Sequence, residues 1–130
     1  MESHCLDIAT QLTNIYFTDE TWHNSRMTYE NAFQYHKTRF EHGYIHVYEE
    51  NGEVLGYYER YIRDNTCILY NVWVKESERK GKVFKELYRH FFMTMPKNIT
   101  EVIGEKVKLG GKFRKRIIRR QKWEVQKVLQ

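Results

Sequence analysis

Residues 66–87 read "TCILYNVWVKESERKGKVFKEL", and this stretch decides the fold. Its first nine residues are rich in β-branched and aromatic side chains, which predicts a strand. A basic turn that contains Gly81 follows, and then apolar residues recur at the helical period: Phe84, Leu87, Tyr88, Phe91, Phe92 and Met95. A strand that runs through such a turn into a helix can hold a phosphate, because unpaired N–H groups and the helix dipole attract anions.

Two further strands are predicted before this one, over residues 44–50 and 53–62. Asn51-Gly52 between them is a two-residue hairpin signal, since both residues tolerate positive φ. A second turn over residues 63–66 completes a three-stranded antiparallel meander. The third strand is apolar at nearly every position, which predicts that both of its faces are covered, as in a central strand.

The remaining elements follow from the same periodicities. One helix is predicted after Ser3 and a second over about Thr28–Phe40, ended by Gly43. Residues 99–107 predict a fourth strand, parallel to the third through a right-handed helical crossover. Residues 112–121 predict a short basic helix, and residues 122–129 a last strand. The prediction is a single α/β domain over residues 1–130 with a mixed sheet.

Positive charge is concentrated at the end of the chain. The segment from residue 104 onward holds ten Lys or Arg and two Glu, a net charge of +8, whereas the first 103 residues carry −3. Such an end favours anionic partners, which include phosphates, nucleic acid and acidic protein surfaces, although a solvated helix face explains the same pattern. The candidate anion-binding residues are Lys112, Arg114, Lys115, Arg116, Arg119 and Arg120.

Several classes of protein do not fit the sequence. No apolar run reaches the length of a membrane span, and no signal-peptide pattern follows Met1. Cys5 and Cys67 lack metal or redox spacing, and the six histidines predict no metal site. We therefore expect a cytoplasmic protein with reduced, structural thiols and no contact with membranes.

The order of the elements resembles that of the GNAT (Gcn5-related N-acetyltransferase) superfamily. Three residues, at the end of the strand, in the turn and in the helix, also resemble the family pattern. In that family the central strand runs into the pattern V-x-x-x-x-R-G-x-G-x-G/A, followed by a helix with Leu near its second turn. Val74, Arg79 and Leu87 fall in this register. The resemblance implies a mainly antiparallel sheet flanked by helices, with a central parallel pair of strands that splays apart to admit acetyl-CoA.

The resemblance also implies a cofactor site. The strand backbone at Val72 and Val74 would bond to the pantetheine arm of acetyl-CoA. The backbone of the turn would wrap its pyrophosphate, which gives the candidates Arg79, Lys80, Gly81, Lys82 and Val83.

The turn departs from the family pattern at its glycine positions. In the register set by Arg79, these positions hold Lys80, Lys82 and Phe84. Shifting the register by one residue places Gly81 on a glycine position, but it puts Glu78 at the arginine and Val83 at the last glycine or alanine. We therefore expect Phe84 or Val83 to crowd the pyrophosphate, while the lysines supply positive charge.

Catalytic candidates come from the same resemblance. Family members often use a strand Glu, acting through water, as general base and a Tyr of the late helix as general acid. Phe113 and Arg114 stand where that tyrosine is expected. Glu59, Glu101 and Glu105 are candidate bases, each of which equally suits a solvent-facing strand position. Asn71 is a candidate for binding the thioester carbonyl, or a polar residue at a bulge.

Two functions remain open. The first is an N-acyltransferase that moves an acetyl group from acetyl-CoA to an unidentified amine. The second is a non-catalytic protein with the same fold that binds nucleic acid or a protein through its basic end. Some small bacteriophage proteins resemble this chain in element order and in a Lys-rich turn, which implies a viral origin and the host cytoplasm for the second function.

Overall fold

The computed structural model of the protein describes residues 2–18, 27–107 and 113–119. The helices are α1 (Glu2–Thr18), α2 (Tyr29–Glu41) and α3 (Lys82–Met93), and a 3₁₀ turn covers Glu76–Glu78. The strands are β1 (Ile45–Glu50), β2 (Glu53–Arg63), β3 (Thr66–Val74), β4 (Glu101–Val107) and β5 (Phe113–Arg119). The predicted last strand over residues 122–129 lies outside the described residues.

The five strands form one sheet in the order β1-β2-β3-β4-β5. The pair β3–β4 is parallel and the other three pairs are antiparallel. Asn51 and Gly52 adopt φ values of 53° and 80°, which gives the predicted tight hairpin between β1 and β2. The mixed, mainly antiparallel sheet with helices on its faces confirms the predicted fold class.

Helices cover the sheet on two faces, with β2 between them. α1 and β1 bury one cluster, formed by Ile8, Leu12, Ile45, Val54 and Tyr57. α3 covers a larger cluster on the other face, which includes Leu55, Tyr58, Val83, Leu87, Phe91 and Phe92. Within the described residues, no helix is both long and apolar enough to cross a membrane.

Two predictions about the sheet are wrong. The strand that is buried on both faces is β2, whereas Tyr70 and Val72 of β3 are 47% and 46% exposed. The sequence of β3 is as apolar as that of a fully covered strand, because some of its apolar residues line an open cleft. This cleft is described below. The predicted basic helix over residues 112–121 is also wrong, because residues 113–119 form β5, paired with β4.

The start and the end of α3 are both fixed against β2. Gly56 allows a close approach at the start, since a Cβ there would lie 2.8 Å from Val83 Cγ1 and 2.9 Å from Leu87 Cδ1. At the other end, buried Arg60 donates from Nη1 to the carbonyl oxygen of Phe91 at 2.8 Å and from Nη2 to that of Thr94 at 3.2 Å. These contacts hold both ends of α3 against the sheet, and its N-terminus follows the turn after β3.

Two histidines, His46 of β1 and His90 of α3, lie with their ring centroids 5.1 Å apart. We expect them to make the free energy of unfolding depend on pH. Burial, the charge of Arg60 and the neighbouring His90 lower the pKa of His46 to about 4. The unfolded chain takes up this proton near the ordinary histidine pKa of about 6.5. The free energy of unfolding should therefore fall as the pH falls from about 6.5 to about 4. The full shift corresponds to about 3.5 kcal/mol at about 1.4 kcal/mol per pKa unit, and we expect roughly 2 kcal/mol because His46 is only half-buried and solvent screens its interactions.

Urea denaturation across this pH range measures the effect. The matched control is His46→Phe, which keeps a ring to stack on Tyr58, at a centroid distance of 4.9 Å in the native protein, but cannot titrate. Its stability should change less between pH 6.5 and pH 4. An equal slope in both proteins would contradict the assignment to His46.

Candidate active site

The two parallel strands diverge at the middle of the sheet. β3 pairs with β4 from Thr66 opposite Glu101 to Leu69 opposite Gly104, and the pairing stops there although both strands continue. The cause is a bulge in β3: Glu59 pairs with Asn71 and Arg60 with Leu69, which leaves Tyr70 as the extra residue. Because a bulge bends its strand, β3 turns away from β4 beyond this point.

An apolar cleft opens on the α3 side of this divergence. The cavity measures about 170 Å³, and its walls include Leu69, Val72, Phe84, Tyr88, Val102 and Gly104. Val83 is fully buried in the core beneath α3, so it does not enter the cleft. Phe84 forms part of the wall and is 51% exposed. Of the two residues that we expected to crowd the site, only Phe84 borders the cleft.

The turn between β3 and α3 retains a helix N-terminus that can receive an anion. Gly81 is the N-cap of α3, and no side chain caps it. The first N–H groups of α3 therefore have no capping side chain, which is the arrangement that attracts phosphates. Arg79 stabilises the turn, because its Nε donates to the carbonyl oxygen of Val74 at 2.8 Å.

Two lysines of the turn are paired with acidic residues of the β1–β2 hairpin. Lys82 Nζ lies 2.7 Å from Glu50 Oε1, and Lys75 Nζ lies 2.6 Å from Glu53 Oε2. The hydrogen bond from Lys82 lowers the pKa of Glu50. Both pairs are exposed, and exposed pairs contribute little to stability, so an incoming anion can replace the carboxylates. Lys80 is exposed and forms no ion pair with any described residue.

The opposite face of the sheet holds a buried carboxylate. Glu59 is 1% exposed, and its Oε2 accepts hydrogen bonds from the hydroxyls of Tyr35, at 2.9 Å, and of Tyr61. Arg39 Nε lies 3.6 Å from the same oxygen. Burial and the hydrogen bond to Glu59 raise the pKa of Tyr61 to about 12, so Tyr61 stays protonated and keeps donating. Among the residues that the structure describes, no hydrogen bond or ion pair reaches Oε1.

The structure brings some catalytic candidates together and separates others. Asn71 is the cross-strand partner of Glu59, so the two share a face beside the bulge. Glu101 lies at the start of β4, opposite Thr66 and three residues before the divergence at Gly104. The backbone of Glu105 pairs with that of Lys115 in β5. Of these catalytic candidates, only Glu59 and Asn71 are therefore cross-strand partners beside the bulge.

The partners of Glu59 were not predicted. Tyr35 and Arg39 lie one helical turn apart in α2, and Tyr61 lies two residues after Glu59 on the same side of β2. The available signals were the i,i+4 spacing of Tyr35 and Arg39 in a helix and the i,i+2 spacing of Glu59 and Tyr61 in a strand. Neither signal says that α2 lies over this part of β2, which depends on tertiary packing.

The candidate anion-binding residues divide between described and undescribed parts of the chain. Arg114, Lys115, Arg116 and Arg119 belong to β5, where their backbones pair with β4. Lys112 and Arg120 lie outside the described residues. Because no helix forms over residues 113–119, the expected basic helix face is absent there, and the role of these residues stays a prediction.

A mixed sheet with a diverging parallel pair above a helix start defines the N-acetyltransferase fold. The family model described as "Acetyltransferase (GNAT) family" matches residues 8–103. The match covers well over half of the chain, so the protein belongs to the GNAT acetyltransferase family. Among curated protein sequences, none matches the chain significantly.

Solved acetyltransferases share this fold at low sequence identity. A GNAT-family acetyltransferase from Staphylococcus aureus Mu50 is 18% identical, with a TM-score of 0.60 over 82% of this chain and 69% of that chain. An acetyltransferase from Thermus thermophilus is 10% identical, with a TM-score of 0.61 over 81% of this chain and 73% of that chain.

A third structure holds ligands. Diaminobutyrate acetyltransferase EctA from Paenibacillus lautus, in complex with L-2,4-diaminobutyric acid and coenzyme A, is 10% identical, with a TM-score of 0.59 over 78% of this chain and 61% of EctA. The chain thus spans about two thirds of the length of these enzymes, and the likeness shows the fold.

Proposed function

We propose that the protein is an N-acetyltransferase that moves the acetyl group of acetyl-CoA to a primary amine. The cleft between β3 and β4 is the observation that carries the proposal. Beyond Leu69, the edge of β3 that faces β4 has no strand partner among the described residues, so the backbone at Val72 and the N–H of Val74 are available to the amides of a pantetheine arm. The carbonyl oxygen of Val74 already accepts from Arg79 Nε. EctA, which has this fold, binds coenzyme A and an amine.

The turn supports the same ligand. A pyrophosphate at the end of the cleft would meet the N–H groups at the start of α3 and the charges of Lys80 and Lys82. Gly81 leaves space there, because the nearest atom to an added Cβ is the carbonyl oxygen of Glu78 at 3.7 Å. Arg79 acts by holding the turn against Val74.

Glu59 is the candidate base. The amine nitrogen attacks the thioester carbon, the C–N bond forms, and the C–S bond breaks with release of the coenzyme A thiolate. The proton lost by the amine passes through a water to Glu59 Oε1, while Tyr35 and Tyr61 hold Oε2 in place. The thiolate takes its proton from solvent. Asn71, which lies on the same face as Glu59, would donate to the thioester carbonyl.

Isothermal titration with acetyl-CoA and coenzyme A tests the proposal. Saturable binding at micromolar concentration is expected, followed by acetylation when amines are added. Lys82→Gln should weaken binding several-fold, because it removes one positive charge beside the pyrophosphate. No binding at millimolar ligand would reject the transferase function.

A non-catalytic role is the alternative, and one observation favours it. Lys75 and Lys82 are already paired with Glu53 and Glu50, so acidic residues of the protein balance these two charges without a bound diphosphate. In this alternative the basic end of the chain binds nucleic acid or an acidic protein. Binding to a single-stranded oligonucleotide should then weaken steeply with added salt, and a flat salt response would reject nucleic acid as the partner.

A further inference from the structure

Three tyrosine rings form a row on the face of the sheet that holds Glu59. The ring centroid of Tyr61 lies 4.9 Å from that of Tyr44 and 6.1 Å from that of Tyr70. Tyr44 directly precedes β1, Tyr61 belongs to β2, and Tyr70 is the extra residue at the bulge of β3, so the row runs across three neighbouring segments of the sheet. These three residues are called the tyrosine row below.

The tyrosine row is open to solvent at both ends. Tyr44 is 40% exposed and Tyr70 is 47% exposed. One face of Tyr44 stacks on His42, but the contacts of Tyr61 with its two neighbours are tilted or edge-to-face, so they do not cover the ring faces as a parallel stack would. Neighbouring exposed rings are typical of surfaces that bind a ligand, because their apolar area is unfavourable in water.

The middle ring of the row is bonded to the candidate base. Tyr61 donates its hydroxyl to Glu59 Oε2, and Oε1 of the same buried carboxylate has no hydrogen bond or ion pair among the described residues. In the proposed reaction the acceptor amine loses its proton, through a water, to this second oxygen. The cofactor cleft lies on the α3 side of the sheet, so the amine must approach Glu59 along the face that carries the tyrosine row.

The charge beside the row limits the kind of amine that fits. Arg39 Nε donates to the hydroxyl of Tyr61 at 2.9 Å, and Arg39 Cζ lies 3.6 Å from the centre of the Tyr35 ring. One positive charge therefore already lies next to the middle ring, and it would repel a second ammonium group on the acceptor. A neutral aromatic group carries no such cost, and aromatic rings attract one another in offset or edge-to-face arrangements.

We propose that the tyrosine row determines acceptor specificity, and that the acceptor is a primary amine whose other end is a neutral aromatic ring. This ring packs against Tyr44 and Tyr70, while the amino group lies toward Glu59. The proposal rests on the proposed function, since it assumes that the protein transfers an acetyl group to an amine. The ring contact stabilises the bound substrate and the transition state alike, so its loss should raise KM and leave kcat unchanged.

Acetylation of three amines tests the proposal: 2-phenylethylamine, n-butylamine and 1,5-diaminopentane. The native protein should use 2-phenylethylamine with the highest kcat/KM. Tyr70→Leu should raise KM for 2-phenylethylamine by about 2–10-fold, the usual effect of losing one ring pair, and leave kcat for it and both constants for n-butylamine unchanged. Tyr70→Phe, which keeps the ring, should match the native protein, and Tyr44→Leu should behave like Tyr70→Leu.

Tyr29→Leu is the matched control, because Tyr29 is a similarly exposed ring, 50% exposed, that stacks on Phe17 instead. Its kinetics with all three amines should be native. Equal or better use of n-butylamine or 1,5-diaminopentane by the native protein would overturn the proposal and leave the transferase function intact. An equal loss with every amine in Tyr70→Leu would also overturn it, by giving the ring a structural role. A native protein that binds acetyl-CoA but acetylates none of the three amines would overturn it too, whereas failure to bind acetyl-CoA would instead reject the proposed function.

Discussion

Glu59→Gln should keep the fold and slow acetyl transfer by about 10²–10⁴-fold, the usual contribution of a positioned general base. The amide oxygen of Gln can still accept from the hydroxyls of Tyr35 and Tyr61, which now hold Oε2. What the variant loses is the proton acceptor at Oε1. The loss should fall on turnover and leave the affinity for acetyl-CoA unchanged, since the carboxylate lies on the face of the sheet opposite α3.

Steady-state rates with an accepted amine measure this effect, and thermal denaturation checks the fold. Glu101→Gln is the matched control: it changes a carboxylate on the neighbouring parallel strand, but at the start of β4 and away from the bulge. Its turnover should stay within a few-fold of the native value. A large loss in Glu101→Gln together with normal turnover in Glu59→Gln would reassign the base to β4.

The fold could be predicted where local chemistry decides it. Asn51 and Gly52 form the hairpin because both residues tolerate positive φ. Gly43, after the end of α2, adopts φ +77°, which glycine allows without strain. The parallel crossover followed from the spacing of strand, helix and strand. The β5 strand was missed because Phe113, Ile117 and Ile118 suit a helix stripe as well as a strand, and pairing with β4 decides between them.

The position of the helix start was predicted, but the directions of its side chains were not. The family register placed the turn at Arg79–Val83, and the structure puts the start of α3 there. The sequence could not say which way successive side chains point. Val83 enters the core against Gly56, whereas Phe84 faces the cleft and solvent. The partners of Glu59 come from α2, so they depend on how two distant segments pack.

Gly56→Ala should lower the free energy of unfolding by about 1–3 kcal/mol, the usual effect of overpacking a core. The new methyl would lie 2.8 Å from Val83 Cγ1, 2.9 Å from Leu87 Cδ1 and 3.1 Å from the carbonyl oxygen of Trp73. Two of these atoms belong to the first turns of α3 and the third to the backbone of β3. The clash must therefore be relieved on the α3 side, by a shift of the Val83 and Leu87 side chains or of the helix, because the strand backbone cannot give way easily.

Chemical denaturation measures the loss, and Gly81→Ala is its matched control. Gly81 has a negative φ and no atom closer than 3.7 Å to an added Cβ, so the free energy of unfolding should change little. Since α3 forms one wall of the cleft and supplies the helix start below it, Gly56→Ala should also weaken coenzyme A binding in proportion to the displacement. Native stability in Gly56→Ala would mean that α3 does not rest on β2 at this point, and the geometry of the proposed cofactor site would lose its support.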